Sequence, residues 1–356
     1  RRHWSRDGKT GARMSWNVGQ VVNLTVDADE DDTRLDRWLK RKFHGLTQGQ
    51  IEKACRTGEI RVDGARAKAN TRVKAGQTVR VPPMTAAKGR EGDEEDEKPR
   101  ARVKSSDADM MRSLVIYEDD HIIALNKPAG LAVQGGTGTT RHIDALSRAL
   151  VDDQAEKPRL VHRLDRDTTG VLILAKTVGT ANKLGQLFKS RELDKIYWAV
   201  TLGVPHPVSG DIRGYMIKSA GPGSDKEKMR TAEQSEKGAV HALTLYSVVQ
   251  NAGRKAAWVA LKPETGRTHQ LRFHMAEIGT AILGDNKYTC DREVPSGLAG
   301  GLHLHARALR LPNKGGPPIE IVAELPQHIK QTFNVLGFDE DSAENFFDLR
   351  KPRRVR

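Results

Sequence analysis

A charged segment that is poor in apolar side chains divides the chain. Residues 84–112 contain "AAKGREGDEEDEKPRARVKSSDAD", in which acidic and basic residues outnumber apolar ones. Such a composition cannot bury enough apolar surface to fold and predicts a solvated linker, with the acidic run as a spacer. The 356-residue chain is therefore expected to form two folded units, one on each side of this linker.

The composition at the two ends extends this division to five segments. We expect a basic, disordered extension at residues 1–20, a small domain at 21–83, the linker at 84–112, a large domain at 113–336 and a charged tail at 337–356. No apolar stretch is long enough to span a bilayer, and the N-terminal residues lack the core of a signal peptide. Two cysteines without a disulfide or zinc spacing agree with a reducing compartment, so we expect a cytoplasmic protein.

The charge balance points to an anionic partner. Lys and Arg together number 59 against 46 Asp and Glu, which gives a formal net charge of +13. An excess of this size favours binding to a polyanion, most often a nucleic acid. The alternative is a basic surface that is simply solvated.

The small domain combines a basic helix with short strands. "TRLDRWLKRKF" predicts a helix with an apolar face, and "TQGQIEKACRTG" a second helix that begins after Thr47 and ends at Gly58. "EIRVDG" and "GQTVRVP" predict strands. Two helices on a small sheet suit either a reader of the RNA backbone or an ordinary solvated surface. The candidate RNA-binding residues of the first helix are Arg34, Arg37, Lys40 and Arg41.

The large domain alternates strands with a few helices. Segments such as "HALTLYSVVQ" and "AAWVALKPETG" predict adjacent strands, whereas "TANKLGQLFKSREL" and "RTHQLRFHMAEIG" have helical spacing. Neighbouring strands joined by short turns favour an α+β fold over a regular βαβ repeat. We therefore expect a mixed, mainly antiparallel sheet flanked by helices.

The segment "LVHRLDRDTTGVLILAK" places a cluster of charge between two apolar ends. Asp167, the two threonines and Gly170 are typical of a turn, so the segment predicts a polar loop that enters a buried strand. Asp165 lies between Arg163 and Arg166, an arrangement that a local ion-pair network also explains.

Motifs for nucleotide or metal cofactors are absent from the sequence. No GxxxxGK[ST] loop and no GxGxxG fingerprint occurs. The histidines at 162, 269, 274, 303 and 305 do not follow a known metal spacing, so we interpret them as structural or as facing RNA. The sequence predicts no metal and no cofactor.

The ordered motifs resemble those of one enzyme family. "HRLDRDTTG" resembles the signature of the RluA-like pseudouridine synthases, and "NKPAG", "KIYWA", "LKPETGRTHQLRFH" and "HLHA" follow that family's other marks in order. Thr169 stands where the family usually has Ser, which keeps the hydroxyl. "RLDRWL", "IEKACRTGEIRVDG" and "VKAGQTVRVP" resemble the RNA-binding module first recognised in small-subunit ribosomal protein S-four.

The resemblance implies roles for individual residues. Asp165 matches the catalytic aspartate, Arg272 its arginine partner and Tyr197 the active-site tyrosine; Arg267 is a second candidate for the partner. Arg163 matches an arginine that fills the space left by a flipped nucleotide, and we also expect RNA contacts from Arg166, Arg267 and His269. Isomerisation of uridine within RNA needs no cofactor. Whether Asp165 adds to the sugar or removes a sugar proton stays open.

The implied partner is large-subunit ribosomal RNA or its assembly intermediates, with a monomeric enzyme expected. A transfer RNA or an organellar ribosomal RNA is an alternative substrate. Two other functions also stay open, a non-catalytic RNA-binding assembly factor and a nucleosidase that releases free uracil.

Overall fold

The computed structural model describes residues 21–43, 46–83, 104–135, 139–152, 155–219, 228–313, 315–343 and 347. The chain divides between Arg102 and Val103 into two compact units. The extension expected at residues 1–20 and the acidic run of the linker lie outside the described residues.

The described residues of the first unit form two α-helices, a short 3-10 helix and six short strands. Its α-helices and strands are β1 (Val22–Thr25), β2 (Thr33–Arg34), α1 (Leu35–Lys42), α2 (Gln48–Thr57), β3 (Arg61–Val62), β4 (Ala65–Arg66), β5 (Arg72–Val73) and β6 (Thr78–Val81). Four strands form a sheet in the order β1-β6-β3-β4, and β2 pairs with β5. All of these pairings are antiparallel.

Local sequence signals explain both helices of this unit. Thr47 Oγ1 accepts a hydrogen bond from Gln50 N at 3.3 Å at the start of α2, and Gly58 ends it with a φ of 78°. In α1, Trp38 and Leu39 are fully buried. The predicted apolar face of α1 is confirmed.

The second unit holds the remaining elements. These are α3 (Ser105–Ser113), β7 (Val115–Glu118), β8 (Ile122–Lys127), α4 (Ile143–Leu146), β9 (Arg159–Leu160), β10 (Thr169–Ala175), α5 (Val178–Ser190), β11 (Asp194–Leu202), β12 (Ser209–Lys218), β13 (Met229–Ala232), β14 (Val240–Ala252), β15 (Ala256–Pro263), α6 (Gln270–Glu277), β16 (Leu304–Leu311), β17 (Ile319–Val322) and α7 (Gln327–Leu336).

One large sheet organises this unit. Its eleven strands run in the order β13-β12-β14-β15-β11-β16-β10-β8-β7, with β17 against β16 and β9 against β10. The pairing of β10 with β16 is parallel, and the others in this sheet are antiparallel. The prediction of a mixed, mainly antiparallel sheet with flanking helices is confirmed.

Strand β11 separates two apolar layers. Ile196 and Trp198 pack in a cluster that includes Phe333 of α7. Tyr197 packs instead against a cluster that includes Leu271 of α6. This alternation, which the sequence predicts for a strand, leaves Tyr197 on the side of the sheet that α6 covers.

Two segments expected to be solvated are partly folded. Helix α3 occupies the end of the segment interpreted as a linker, and its Met111 is fully buried beside Ile123. Phe338 and Phe347, in the segment interpreted as a charged tail, are buried in the cluster around Trp198. A few apolar residues within a charged composition suffice for docking, so these parts of the two segments belong to the second unit. The five segment boundaries otherwise stay predictions.

Among the described residues, no helix has the length and apolar character needed to cross a membrane.

Candidate active site

The end of the turn from Arg163 to Thr169 packs closely against strand β16. Gly170 adopts a φ of 105°, and a Cβ atom there would lie 2.2 Å from the Ala306 carbonyl oxygen, so only glycine fits. His305 Nε2 donates to the Ala323 carbonyl at 3.2 Å, which leaves its Nδ1 to accept from Thr169 Oγ1 at 2.7 Å. The end of the turn is thus fixed by close packing and by a neutral histidine.

A buried lysine holds the turn from the other side. Lys127, at the end of β8, is fully buried, and its ammonium donates to the carbonyl oxygens of Pro128, Leu131 and Arg166 at 2.8, 2.9 and 2.7 Å. Burial lowers the pKa of Lys127 to about 8. The motif "NKPAG" contains Lys127, but no local pattern in the sequence indicates this anchoring role.

The histidine of "HRLD" is hydrogen-bonded to a strand of the large sheet. His162 Nε2 accepts a hydrogen bond from the Ile173 backbone nitrogen at 2.9 Å, and its ring stacks on Phe188 at 4.5 Å. Burial, together with the charge of Lys195, lowers the pKa of His162 to about 3, so it stays neutral. This placement agrees with the structural interpretation of His162.

The three predicted catalytic residues meet in one cleft. The cleft has a volume of about 550 Å³, and Asp165, Tyr197 and Arg272 all line it. Arg272 Nη1 lies 3.4 Å from Asp165 Oδ2, and the Asp165 side chain is 28% exposed. Asp165 is therefore open to a ligand on one side and paired with a cation on the other.

Tyr197 is held as a neutral phenol. Burial raises the pKa of Tyr197, and the negative charge of Asp165 raises it further. A phenol of this kind is a surface for stacking and a hydrogen-bond donor. The geometry favours these roles over that of a ready base.

A second carboxylate, which the sequence analysis missed, binds Arg272 more tightly than Asp165 does. Asp285 has a fully buried side chain, and its two oxygens accept from Arg272 Nε and Nη2, both at 2.7 Å. Asp285 Oδ1 also accepts from the backbone nitrogens of Lys287 and Tyr288 at 2.8 and 3.0 Å. Burial alone would lower the pKa of Arg272, but Asp285, with Asp165, raises it.

Asp285 does not belong to a helical or strand pattern in the sequence. It follows Gly284, whose φ is 76° and where a Cβ would lie 1.8 Å from the Gly301 carbonyl oxygen. The sequence feature that could have pointed to Asp285 is a glycine followed by an acidic residue. This feature is common in ordinary turns and does not by itself indicate a functional residue.

Tyr288 supports the same group of residues. The Arg272 guanidinium lies 5.5 Å from the centre of the Tyr288 ring, within the range of a cation–π contact. The Tyr288 hydroxyl lies 3.0 Å from His269 Nδ1 and accepts from the Met229 backbone nitrogen at 2.8 Å.

His269 lies deep in the cleft. Its Nε2 is 3.8 Å from Asp165 Oδ2, and its side chain is 9% exposed. Burial lowers the pKa of His269, against the charge of Asp165, which raises it. We predicted an RNA contact for this residue, and the structure places it beside the carboxylate at the base of the cleft.

Of the other RNA contacts predicted for the second unit, Arg163 and Arg267 line the cleft, and Arg166 lies on the same turn as Arg163. Arg163, Arg166 and Arg267 are exposed. Arg166 Nε donates to the Gly130 carbonyl at 3.1 Å, and Arg267 Nε donates to the His241 carbonyl at 3.0 Å. The geometry brings Arg272, and not Arg267, to Asp165, as the resemblance implied.

Two of the basic residues predicted to bind RNA at α1 already make hydrogen bonds within the first unit. Arg34 donates to both oxygens of Asp36, at 3.1 and 2.6 Å, and Arg41 donates to Thr33 Oγ1 at 3.1 Å. Arg37 and Lys40 are exposed. Among the described residues of this unit, Arg34 is the one of the four predicted RNA-binding residues that forms an ion pair.

The arrangement suits attack on an electron-poor carbon. A partly exposed carboxylate that is open to a ligand and lies next to a guanidinium is able to act as a nucleophile, as in retaining glycosidases. Among the described residues, no group of three or more His, Cys, Asp or Glu is placed to hold a metal ion.

Comparison with known proteins identifies relatives for both units. The family model for RNA pseudouridylate synthase matches residues 121–277, and that for the S4 domain matches residues 33–79. A protein from Rickettsia typhi named ribosomal large subunit pseudouridine synthase C is 35% identical over 82% of this chain and 94% of its own. A protein of the same name from Escherichia coli O6:H1 is 32% identical over 91% of this chain and 99% of its own.

A solved structure also resembles the chain. Human RNA pseudouridylate synthase domain containing 4 is 30% identical and superposes with a TM-score of 0.55, covering 65% of this chain and 95% of its own.

Proposed function

Because the chain belongs to the RNA pseudouridylate synthase family, we propose that it isomerises specific uridines of large-subunit ribosomal RNA to pseudouridine. The observation that carries this proposal is the meeting of Asp165, Arg272 and Tyr197 in one open cleft. The large-subunit substrate is supported by the names of the relatives.

Asp165 is the proposed nucleophile. Its side chain lines the cleft and is 28% exposed, and Arg272 Nη1 lies 3.4 Å from its Oδ2. The glycosidic bond of the bound uridine breaks, the uracil turns, and the sugar is rejoined at a ring carbon. A carboxylate assists this departure either by bonding to the sugar or by removing one of its protons.

Tyr197 and Arg163 complete the proposed site. The Tyr197 ring offers the uracil a stacking surface next to Asp165. A uridine within folded RNA must leave its stack to reach the cleft, which costs a few kcal/mol. In this proposal Arg163, which is exposed and lines the cleft, fills the space that the nucleotide leaves.

The proposal gives the segments separate tasks. Residues 21–83 form an RNA-binding domain, in which Arg37, Lys40 and Arg41 face the RNA backbone, and residues 113–336 form the catalytic domain. The proposal places a monomeric enzyme in the cytoplasm, where ribosomes are assembled.

Substitution of the nucleophile tests the catalytic assignment. Asp165→Asn should reduce isomerisation by at least about 10⁴-fold, because an amide of the same shape cannot act as a nucleophile. Tritium release from RNA labelled at the uracil carbon that becomes bonded to the sugar measures the rate, and fluorescence anisotropy should show unchanged RNA binding. Asp167→Asn, an exposed aspartate in the same turn, is the matched control and should retain activity.

Two results would contradict the proposal. Normal tritium release from Asp165→Asn would remove Asp165 from the mechanism, and free uracil in the product mixture would indicate a nucleosidase. Carbodiimide-based mapping of pseudouridine in RNA from cells with and without the protein identifies the substrate. Sites that disappear only from transfer RNA would exclude the large-subunit substrate.

A further inference from the structure

The lining of the cleft includes three cations that the proposed function does not use. Lys189, Arg191 and Lys195 line the cleft around Phe188. Lys189 and Arg191 lie at the end of α5 and are exposed, whereas Lys195 lies near the start of β11 and is partly buried. Three cations on one part of a cleft wall form a site of positive potential for an anion.

Lys195 lacks an anionic partner within the part of the chain that the structure describes. Its ammonium lies 5.9 Å from the centre of the Phe188 ring, and no described carboxylate forms an ion pair with it. Glu264, which also lines the cleft, acts on Lys195 from a longer range. A partly desolvated cation without a close anion is unfavourable in the free protein, so a bound anion would be stabilised here.

Arg191 adopts a backbone conformation that favours glycine. As the residue that ends α5 it has φ and ψ of 65° and 28°, and helices that end in this left-handed conformation usually carry glycine there. A non-glycine residue held in such a conformation suggests that its side chain serves a function. A guanidinium binds a phosphate through two parallel hydrogen bonds.

The position of Lys195 relates this cation cluster to the proposed base-binding site. Lys195 and Tyr197 are two residues apart on β11, which corresponds to about 6.6 Å along a strand. His162, which also lines the cleft and stacks on Phe188, is neutral and does not compete for an anion. An anion bound at Lys195 would therefore lie next to a nucleotide whose base stacks on Tyr197.

We propose that Lys195, with Lys189 and Arg191, binds a backbone phosphate of the RNA strand next to the nucleotide held at Asp165. The identity of this anion rests on the proposed function, since an RNA strand in the cleft carries phosphodiesters on both sides of the target. The subsite fixes the strand so that the sugar of the target faces the carboxylate.

The test removes each charge of the proposed contact separately. The ligand is a synthetic RNA hairpin that carries the mapped uridine, made unmodified or with one neutral methylphosphonate linkage 5′ or 3′ of that uridine. Lys195→Met keeps the apolar length of the side chain without its charge. It should weaken binding of the unmodified hairpin about 10-fold and lower the slope of log K against log salt by about 1.

Coupling between the two changes identifies the phosphate. One of the two methylphosphonates should weaken binding to the wild type about 10-fold and to Lys195→Met less than about 2-fold. Lys195→Arg should restore both affinity and salt slope, which excludes a folding defect. Lys330→Met, a surface lysine paired with Glu324 on α7, makes the same change in net charge and should bind as the wild type does.

Two outcomes overturn the subsite. If the losses of affinity from Lys195→Met and from each methylphosphonate simply add, Lys195 does not contact either phosphate. A Lys195→Met protein with unchanged affinity and salt slope leads to the same conclusion. If the wild type shows the coupling in binding but releases no tritium from the hairpin, the phosphate subsite stands and the proposed isomerase function is wrong.

Discussion

On the α6 side of the cleft the charged side chains are buried and paired, whereas on the side of the 163–169 turn they are exposed. We call Arg272, Asp285 and Tyr288 the paired wall, and Arg163, Asp165 and Arg166 the open wall. Arg272 is 5% exposed and makes two hydrogen bonds of 2.7 Å to Asp285. Arg163 is exposed, and Asp165 meets its cation at 3.4 Å.

The difference separates two tasks. The paired wall is unable to rearrange without leaving a charge buried and unpaired, so it provides a fixed template. The open wall has two exposed arginines, of which Arg166 donates to the Gly130 carbonyl, while the backbone of the turn is held by Lys127 and by the contact of Thr169 with His305. A fixed backbone with exposed side chains suits a turn that must receive a nucleotide.

Acid should destabilise the unit that holds both walls. The second unit contains four buried neutral histidines, whose pKa burial lowers to about 3 or about 4 from the ordinary 6.5; they are His162, His274, His303 and His305. Below pH 6.5 the unfolded chain gains protons that the folded chain does not, so this contribution to stability is complete above pH 6.5 and falls as the pH drops. Four such residues should remove about 6 kcal/mol between pH 6.5 and 5.

Urea unfolding at several pH values measures this loss, with Trp198 and Trp258 as fluorescent reporters of the second unit. His303→Asn should reduce the slope of stability against pH by about a quarter, since one of the four titrating groups is gone. His121→Asn, an exposed histidine, should leave the slope unchanged. A stability that is constant from pH 6.5 to 5 would rule out this role for the buried histidines.

Removing the charge of Asp285 should break the paired wall alone. Asp285→Asn leaves Arg272 without its buried partner, which should lower stability by about 3–5 kcal/mol. The guanidinium would then turn towards Asp165 and cover the nucleophile, so kcat should fall about 10²–10³-fold with little change in KM.

Single-turnover rates and urea unfolding on the same preparation separate these two effects. Asp291→Asn, an exposed aspartate six positions further along, is the matched control. A folded Asp285→Asn protein that keeps kcat within about threefold of the wild type would show that Arg272 does not depend on Asp285 for its orientation.

Features set by neighbouring residues were predictable from the sequence. The cap at Thr47, the end of α2 at Gly58 and the spacing of α6 through Leu271 and Met275 depend on residues a few positions apart. The motifs that carry the family resemblance led to Asp165, Tyr197 and Arg272, which the fold brings to one cleft.

The supporting residues depend on contacts that no short stretch of sequence contains. Asp285 reaches Arg272 across an irregular turn, and Lys127 binds the carbonyl of Arg166, 39 residues away. Met111 lies in a segment of polar composition. That composition predicted a solvated linker, so neither the burial of Met111 nor helix α3 was predicted. Burial of a charged or isolated residue is decided by tertiary packing, which periodicity and composition do not report.

The smallest expected effect comes from Arg163→Met, which tests what the open wall does during nucleotide flipping. If Arg163 fills the space that the flipped nucleotide leaves, Arg163→Met should matter for a uridine within a helix and much less for one in a flexible loop, which leaves no stacked gap. We expect kcat/KM to fall about 10-fold for a helical target and about 2-fold for the same uridine placed in a loop. Arg166→Met, the other exposed arginine of the turn, is the comparison, because its guanidinium is tied to the Gly130 carbonyl. Equal losses of Arg163→Met on both RNAs would mean that Arg163 contributes only charge, and that the open wall attracts the strand without taking part in nucleotide flipping.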